Sequence, residues 1–548
     1  MARRQSKRLY IAREKSLRLV RKQHDFKGEQ MKHSVIGIFS SSSFLMGILF
    51  ATAIEAHATI RRVPTDYSTI QQAINASVNG DTILVAPGTY VENINFLGRA
   101  ITVTSEAGPQ TTIIDGNQAN SVVTFHAGEG PASVISGFTL RNGRNEAGGG
   151  VLIGNSSPTI RNNIIRDNSA FLGLGIYSSF GSALIEGNII TSNSGSFGRS
   201  GGGISIEGFG RVQILNNLIS NNVLQGGGGG GIALSFAGFP VVKGNIISGN
   251  SVVQPFQSGA GGGIWIVNGT EELIVQNLIT NNEANNGGGI YWFVPGNSRG
   301  PLVVNNTIAN NTADMGSGIF ADGFDAQTEL INNNIIGSPS QTAVFCGAFN
   351  NLNLPIFKFN NVFSPQGQSY GGICQDKTGM NGNISADPLF VNPSADFHLR
   401  PGSPSIDTGD NSAPNLPSTD LDGNPRIQDG NGDGVAKVDM GAYEAVGLSP
   451  FDICIQDDST GNIFEFNSTT GDYQFTNCSG LTLSGIGSLI QRGSIITLQQ
   501  YASDRRVLAR IDASVNKGTA SIQLFSPSTT FTIIDRNTAN NTCACSAH

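Results

Sequence analysis

Seven times between residues 148 and 321 the chain passes from glycine into a short apolar run: "GGGVLI", "GLGIYS", "GGGISI", "GGGIAL", "GGGIWI", "GGGIYW" and "GSGIFA". The apolar residue after the glycines is Val151, Ile176, Ile204, Ile232, Ile264, Ile290 and Ile319, at steps of 25, 28, 28, 32, 26 and 29. A second half repeats as well, from "NNIIRDN" to "NNNIIGS", anchored on Asn163, Asn188, Asn217, Asn245, Asn277, Asn306 and Asn334. A unit this short cannot bury its own core and must stack on its neighbours. The apolar runs are short, rich in Ile, Val and Leu, and bounded by Gly or Asn, so they read as strands. Identical strands stacked in register make parallel sheets, and one coil then rises by one strand spacing, about 4.8 Å. Glycine and asparagine belong at the corners, where the backbone turns through positive φ. A calcium β-roll is excluded, because no Asp recurs in each repeat.

These features predict an all-β chain: a parallel β-solenoid of roughly eleven coils over residues 59–385. Before it, "STIQQAINASV" predicts a short helix with Ser68 as N-cap and Gln71 completing a capping box. Ile70, Ala73, Ile74 and Val78 share its apolar face, which covers the open edge of the first coil. Strands are expected at about 82–86, 101–104, 112–114, 122–125 and 134–140. Residues 386–446 form a Pro/Asp/Gly-rich segment, and alternating runs over 451–548 predict a small antiparallel β domain.

The first 58 residues read as a leader. Residues 1–30 are basic and non-periodic, consistent with an over-long start or a long basic n-region. From Met31 an apolar stretch ends at Ala56-His57-Ala58, a cleavage signal after Ala58. Removing 11 basic and 4 acidic residues leaves 22 Lys+Arg against 36 Asp+Glu, a net charge of −14. This balance argues against nucleic acid as a partner. No other stretch is long and apolar enough to span a bilayer. The expectation is a monomer in the cell envelope or the medium, where disulfides persist. Cys346 and Cys374 then pair within the late coils, while Cys454, Cys478, Cys543 and Cys545 can pair in three ways.

"TIQQAINA" followed by "GDTILVAPGTYVENI" resembles the start of right-handed parallel β-helix proteins of the pectin-lyase-like superfamily, and the likeness runs to about residue 385. The motifs "ADPLF", "SPSIDTG", "DLDGNPR" and "DMGAYE" resemble the choice-of-anchor-type closing segment of exported bacterial β-helix proteins. The resemblance implies the fold and an exported destination, and it admits lyases, hydrolases, esterases, epimerases and non-enzymes. "GTYVE" (88–92) matches the early element of pectin methylesterases, but their later elements are missing. The lyase R-x-P-x-x-R motif and the polygalacturonase motifs are absent too, so no catalytic residue carries over.

Strand alternation places Leu152, Tyr177, Ser205, Ala233, Trp265, Tyr291 and Phe320 on the outside. Trp265, Tyr291 and Phe320 therefore form a row on consecutive coils, a platform for the rings of an extended polysaccharide unless the loops 252–260 and 294–301 cover it. Acid–base chemistry on a sugar needs two carboxyls in one groove; Asp314, Asp322 and Asp325 lie near Phe320, and Glu207 is four coils from Asp322. "DGNGDGVAKVD" places Asp429, Asn431 and Asp433 at calcium-loop positions, with Asp439 one residue out of register for the closing ligand. Non-catalytic polysaccharide binding is the leading expectation. A polysaccharide lyase, hydrolase or epimerase is the alternative, and a structural stalk is the third.

Overall fold

The computed structural model describes residues 58–445, apart from 196–199, 254–258, 269–270, 295–299, 324–327 and 350–352, and the backbone of strands between 453 and 535. The chain winds into a right-handed parallel β-helix. Each coil contributes one strand to each of three long sheets, of 12, 11 and 11 strands. A representative coil runs Val151–Gly154, Thr159–Arg161 and Ile164–Arg166. These three strands belong to what are called below the glycine-led, second and third sheets. The seven anchors pair directly, from Val151 with Ile176 through to Ile290 with Ile319. All seven are fully buried. One face of each strand thus fills a single continuous core, and the repeat length only sets how much loop joins the strands.

The glycines answer two different demands. Gly201 has φ of +69°, which opens the turn into the strand. At Gly203 a Cβ would stand 2.6 Å from the Gly231 carbonyl oxygen of the next coil, so only glycine lets the coils approach.

Asparagine has two roles at the corner between the second and third sheets. Asn162, Gly187, Asn216, Gly244, Gln276, Asn305 and Asn332 all take positive φ there. The next residue turns its carboxamide inward. Asn163, Asn188, Asn217, Asn245, Asn277, Asn306, Asn333, Asn360 and Asn383 form one buried ladder; from Asn188 on, each Oδ1 accepts from the backbone N–H and Nδ2 of the asparagine one coil before, while Asn163 Oδ1 accepts from the Phe138 N–H. The ladder passes through Asn333 rather than Asn334. Asn334 opens the following strand, and its Nδ2 donates to the Met440 carbonyl. A second ladder, unread in the sequence, joins Asn168, Asn193, Asn222, Asn250, Asn282 and Asn311 at the end of the third sheet.

The N-terminal helix spans Ile70–Ala76 and buries Ile70, Ala73 and Ile74. Thr69, not Ser68, is its N-cap: Thr69 Oγ1 accepts from the Gln72 N–H at 3.1 Å. Val78 lies beyond the helix and is exposed. Cys346 and Cys374 form a disulfide with Cα atoms 5.3 Å apart, tying the last coil to its neighbour.

Residues 386–445 lie along the side of the solenoid. Phe390, Phe397, Leu399, Ile406 and Tyr443 pack on Leu278, Ala309 and Ile336 of the third sheet. Ala413 and Leu416 pack on Val275, Val304 and Ile331 of the second. Between them Asn305 and Asn334 donate to the carbonyls of Asp439, Met440 and Gly441. The strap thus spans the asparagine corner of several coils and takes up its amide donors. Strands from Ile453 to Asp535 make a nine-stranded antiparallel sheet. The leader, Ala58 aside, lies outside the described residues.

Candidate functional site

The aromatic row occurs in register: Trp265 pairs with Tyr291, and Tyr291 with Phe320. It also continues to Phe345. Tyr291, Phe320 and Phe345 stack successively with ring centroids 5.2 Å apart. This packing consumes much of the expected platform. Phe320 is only 8% exposed, and the Trp265 ring lies over Gly228, where a Cβ would stand 2.5 Å from it. Burial, with the nearby Asp322 charge, pushes the Tyr291 phenol up to about 12. Tyr291, Phe320 and Phe345 are therefore a stacked spine across three coils, with Trp265, Tyr291 and Phe345 half-buried. The loops 252–260 and 294–301, set against it in the sequence, fall largely outside the described residues.

Of the candidate carboxylates, Asp322 lies close enough to the spine for its charge to act on Tyr291. Asp322 ends the strand Ile319–Asp322 and accepts from the Gly323 and Phe349 N–H groups, each at 3.0 Å. Asp314 precedes the same strand and accepts from Asn285 Nδ2. Asp314 and Asp322 are separated by the turn at Gly316 and share no hydrogen-bonding partner. Asp325 lies outside the described residues. Glu207 accepts from the Tyr177 hydroxyl at 2.7 Å.

In the expected calcium loop, Asp429, Asn431 and Asp433 stay together. Asp429 accepts from the N–H groups of Asp433 and Gly434, Asn431 from that of Asp433, and Asp433 from that of Val435. Asp439 does not join them. It is buried and accepts from the Asp407 and Ala445 N–H groups at 2.7 and 2.6 Å. No group of three or more His, Cys, Asp or Glu side chains suited to a metal gathers among the described residues. The strap motifs instead make a buried polar network. Arg426 donates to Glu444 at 2.7 Å and to the Ala442 carbonyl, while Asp420 receives the Glu444 N–H. Burial raises Asp439 to about 7 and Glu444 to about 9. His398 bridges Asp396 and Asp422 beside the Tyr443 ring, and these contacts raise its pKa against the opposing effect of burial.

A groove missed by the sequence reading runs along the outer face of the second sheet. Its floor is Gln213, Val241, Leu273, Leu302 and Glu329, paired in succession on five coils. That floor is about 19 Å long at about 4.8 Å per coil. Arg211, Phe239, Glu271 and Gly300 wall one side, and Asn415 of the strap reaches in from another part of the chain. The cavity is ≈ 570 Å³, within the range of ligand sites. The Arg211 guanidinium lies 5.7 Å from the Phe239 ring centre, and Glu329 is paired with Lys358 at 3.2 Å. The groove therefore offers an apolar centre of Val241, Leu273 and Leu302, with amide and carboxylate groups at its ends and walls.

Comparison with known proteins agrees with the fold. Residues 196–379 match the "Right handed beta helix region" family, and residues 96–227 match a family described as a protein of unknown function, DUF1565. No curated protein matches the chain. Among solved structures, pectate lyase Pel9A is 14% identical, with a TM-score of 0.36, covering 71% of this chain and 96% of that one. The PL6 family alginate lyase AlyGC is 15% identical, with a TM-score of 0.32, covering 61% and 54%. No helix among the described residues is long and apolar enough to cross a membrane.

Proposed function

We propose that the protein binds an extended polysaccharide without cleaving it, in the groove of the second sheet, after export through its leader. The observation that carries this reading is the groove itself: an open cavity of ≈ 570 Å³ whose floor repeats once per coil along the solenoid axis. A linear chain of pyranose rings laid along that axis meets a similar environment at each step. The Trp265, Tyr291 and Phe320 row supports such binding less directly, because its rings stack on one another. Glu329, already held by Lys358, serves the rim better than it serves proton transfer.

The test incubates the whole protein with neutral and acidic polysaccharides and reads both retention and new chain ends. Retention without new ends, lost in Val241→Arg and weakened in Arg211→Ala, is the expected result. Unsaturated products or reducing ends that vanish in Asp322→Asn or Glu329→Gln would replace binding by catalysis. Unchanged retention in Val241→Arg would remove the groove.

A further inference from the structure

One position of the repeat breaks its own rule. Immediately after each of the first five glycine-led strands the backbone turns through positive φ: Asn155 at 49°, Phe180 at 52°, Gly208 at 78°, Phe236 at 50° and Asn268 at 50°. Backbone N–H groups hold these five in one ladder position, Phe180 donating to Glu207 and Phe236 to Val267. Asparagine and glycine suit this conformation; phenylalanine is strained in it. Burial does not offset that strain, because Phe180 is 59% and Phe236 53% exposed. Phe209 and Phe239, in the same loops, are 72% and 46% exposed. Four exposed phenyl groups thus lie on three consecutive coils, and Gly208 makes a bed for one of them: a Cβ there would stand 2.6 Å from the Phe180 ring. Strain held without a structural return points to function.

We propose that this phenyl ridge is a stacking platform for a neutral polysaccharide and continues the groove, which it joins through Phe239 and Arg211. The inference rests on the polysaccharide reading above and adds the place and the charge class. The charges choose the occupant. Around the ridge and groove, Arg211 lies over Phe239, Lys358 is paired with Glu329, and Glu271 adds a carboxylate. The described lining of the groove carries one cation, Arg211, against two carboxylates, Glu271 and Glu329, so it holds no basic excess for a polyuronate or a nucleic acid. A neutral pyranose presents an apolar C–H face to a phenyl ring and hydroxyls to Gln213, Glu271 and Asn415. Phe180 and Phe236 lie two coils apart, about 9.6 Å, so successive contacts can fall along one extended chain.

The test is Phe180→Asn/Phe236→Asn, which installs the residue found at Asn155 and Asn268. Its thermal midpoint should equal or exceed that of the parent, which excludes misfolding as the cause of any loss. Retention should be measured with β-1,4-linked cello-, xylo- and mannohexaose, polygalacturonate, alginate and phosphatidylcholine/phosphatidylglycerol vesicles. At least a tenfold loss of affinity for a neutral hexaose is expected. Parent-like affinity in this variant, alongside loss in Val241→Arg, would overturn the ridge and leave the groove standing. Tighter binding of either polyuronate would overturn the charge assignment. Vesicle binding abolished by the double substitution, with no glycan retained by the parent, would overturn both readings in favour of a lipid surface.

Discussion

Replacing Asn245 by alanine tests the asparagine ladder at its middle. The Asn245 carboxamide accepts from the Asn217 N–H at 2.9 Å and from Asn217 Nδ2 at 3.0 Å. Its own Nδ2 donates to the carbonyls of Ile214 and Lys243 and to Asn277 Oδ1, at 2.8, 3.1 and 3.0 Å. Alanine leaves the buried Asn217 N–H without its acceptor and the Ile214 carbonyl without its donor. Each orphaned group costs about 1–3 kcal/mol, so the variant should lose about 3–5 kcal/mol in denaturant unfolding monitored by circular dichroism. Asn245→Asp keeps the shape and the acceptor but loses the donors. Burial raises its carboxyl pKa, so the folded state favours the protonated form. The loss should then be smallest near pH 4, below or at the unfolded pKa of about 3.9, and should grow as pH rises. Asn216→Gly is the control: the αL position is filled by Gly187 and Gly244 in adjacent coils, and the change should stay within about 0.5 kcal/mol. A loss below about 1 kcal/mol in Asn245→Ala would refute the view that the carboxamides hold the corner.

Three further outcomes follow from the same geometry. Replacing Cys346 and Cys374 by serine opens a closure over 28 residues and should cost roughly 3.5 kcal/mol on the chain-entropy account; hydrogen exchange should rise in strands 344–346 and 370–372, and unchanged exchange there would contradict the clamp. Asp439 and Glu444 hold protons more tightly folded than unfolded, so their contribution is complete below about pH 4 and is lost as pH rises through about 7 and about 9. Unfolding followed at pH 5, 7 and 9 should show that decline, and Glu444→Gln should flatten its upper part; a parent-like slope would count against it. Calcium, if held by Asp429, Asn431 and Asp433 without Asp439, should bind in the range of about 10⁻⁴–10⁻³ M; calorimetry giving micromolar affinity would show that another ligand closes the loop.

The core of the solenoid was legible because its repeat combines two local signals, glycine before the strand and asparagine after it, that only stacked coils satisfy together. The error in the asparagine register was local. In "NNN" (332–334) the letters allow two registers, and the ladder took Asn333 because Asn332 supplies the positive φ. The same repeat marks Asn168, Asn193 and Asn222 in segments already aligned, yet only the first set of asparagines is read as an anchor. At the outer surface, alternation said which way Phe320 points but not what packs over it. Asp439 left the calcium loop because two backbone N–H groups claim its oxygens, a demand that spacing does not reveal. The groove was illegible for a different reason. Its floor comes from five coils, and Asn415 reaches it from a strap more than a hundred residues away from Arg211.

In a solenoid, each coil is also a control for its neighbours, since stacking sets successive copies of a position on one another. Agreement between copies then reports the scaffold: Val151 and its six partners are apolar because the core admits nothing else. Departure from the copies carries the other kind of information. Phe180 and Phe236 stand where Asn155, Gly208 and Asn268 show what the backbone prefers, and they gain little burial in return. Fold stability alone would replace both by asparagine. Their presence on the rim that leads into the groove is therefore the strongest reason to look for a ligand on this side of the helix rather than along the Tyr291–Phe345 spine, where the aromatic rings already satisfy one another.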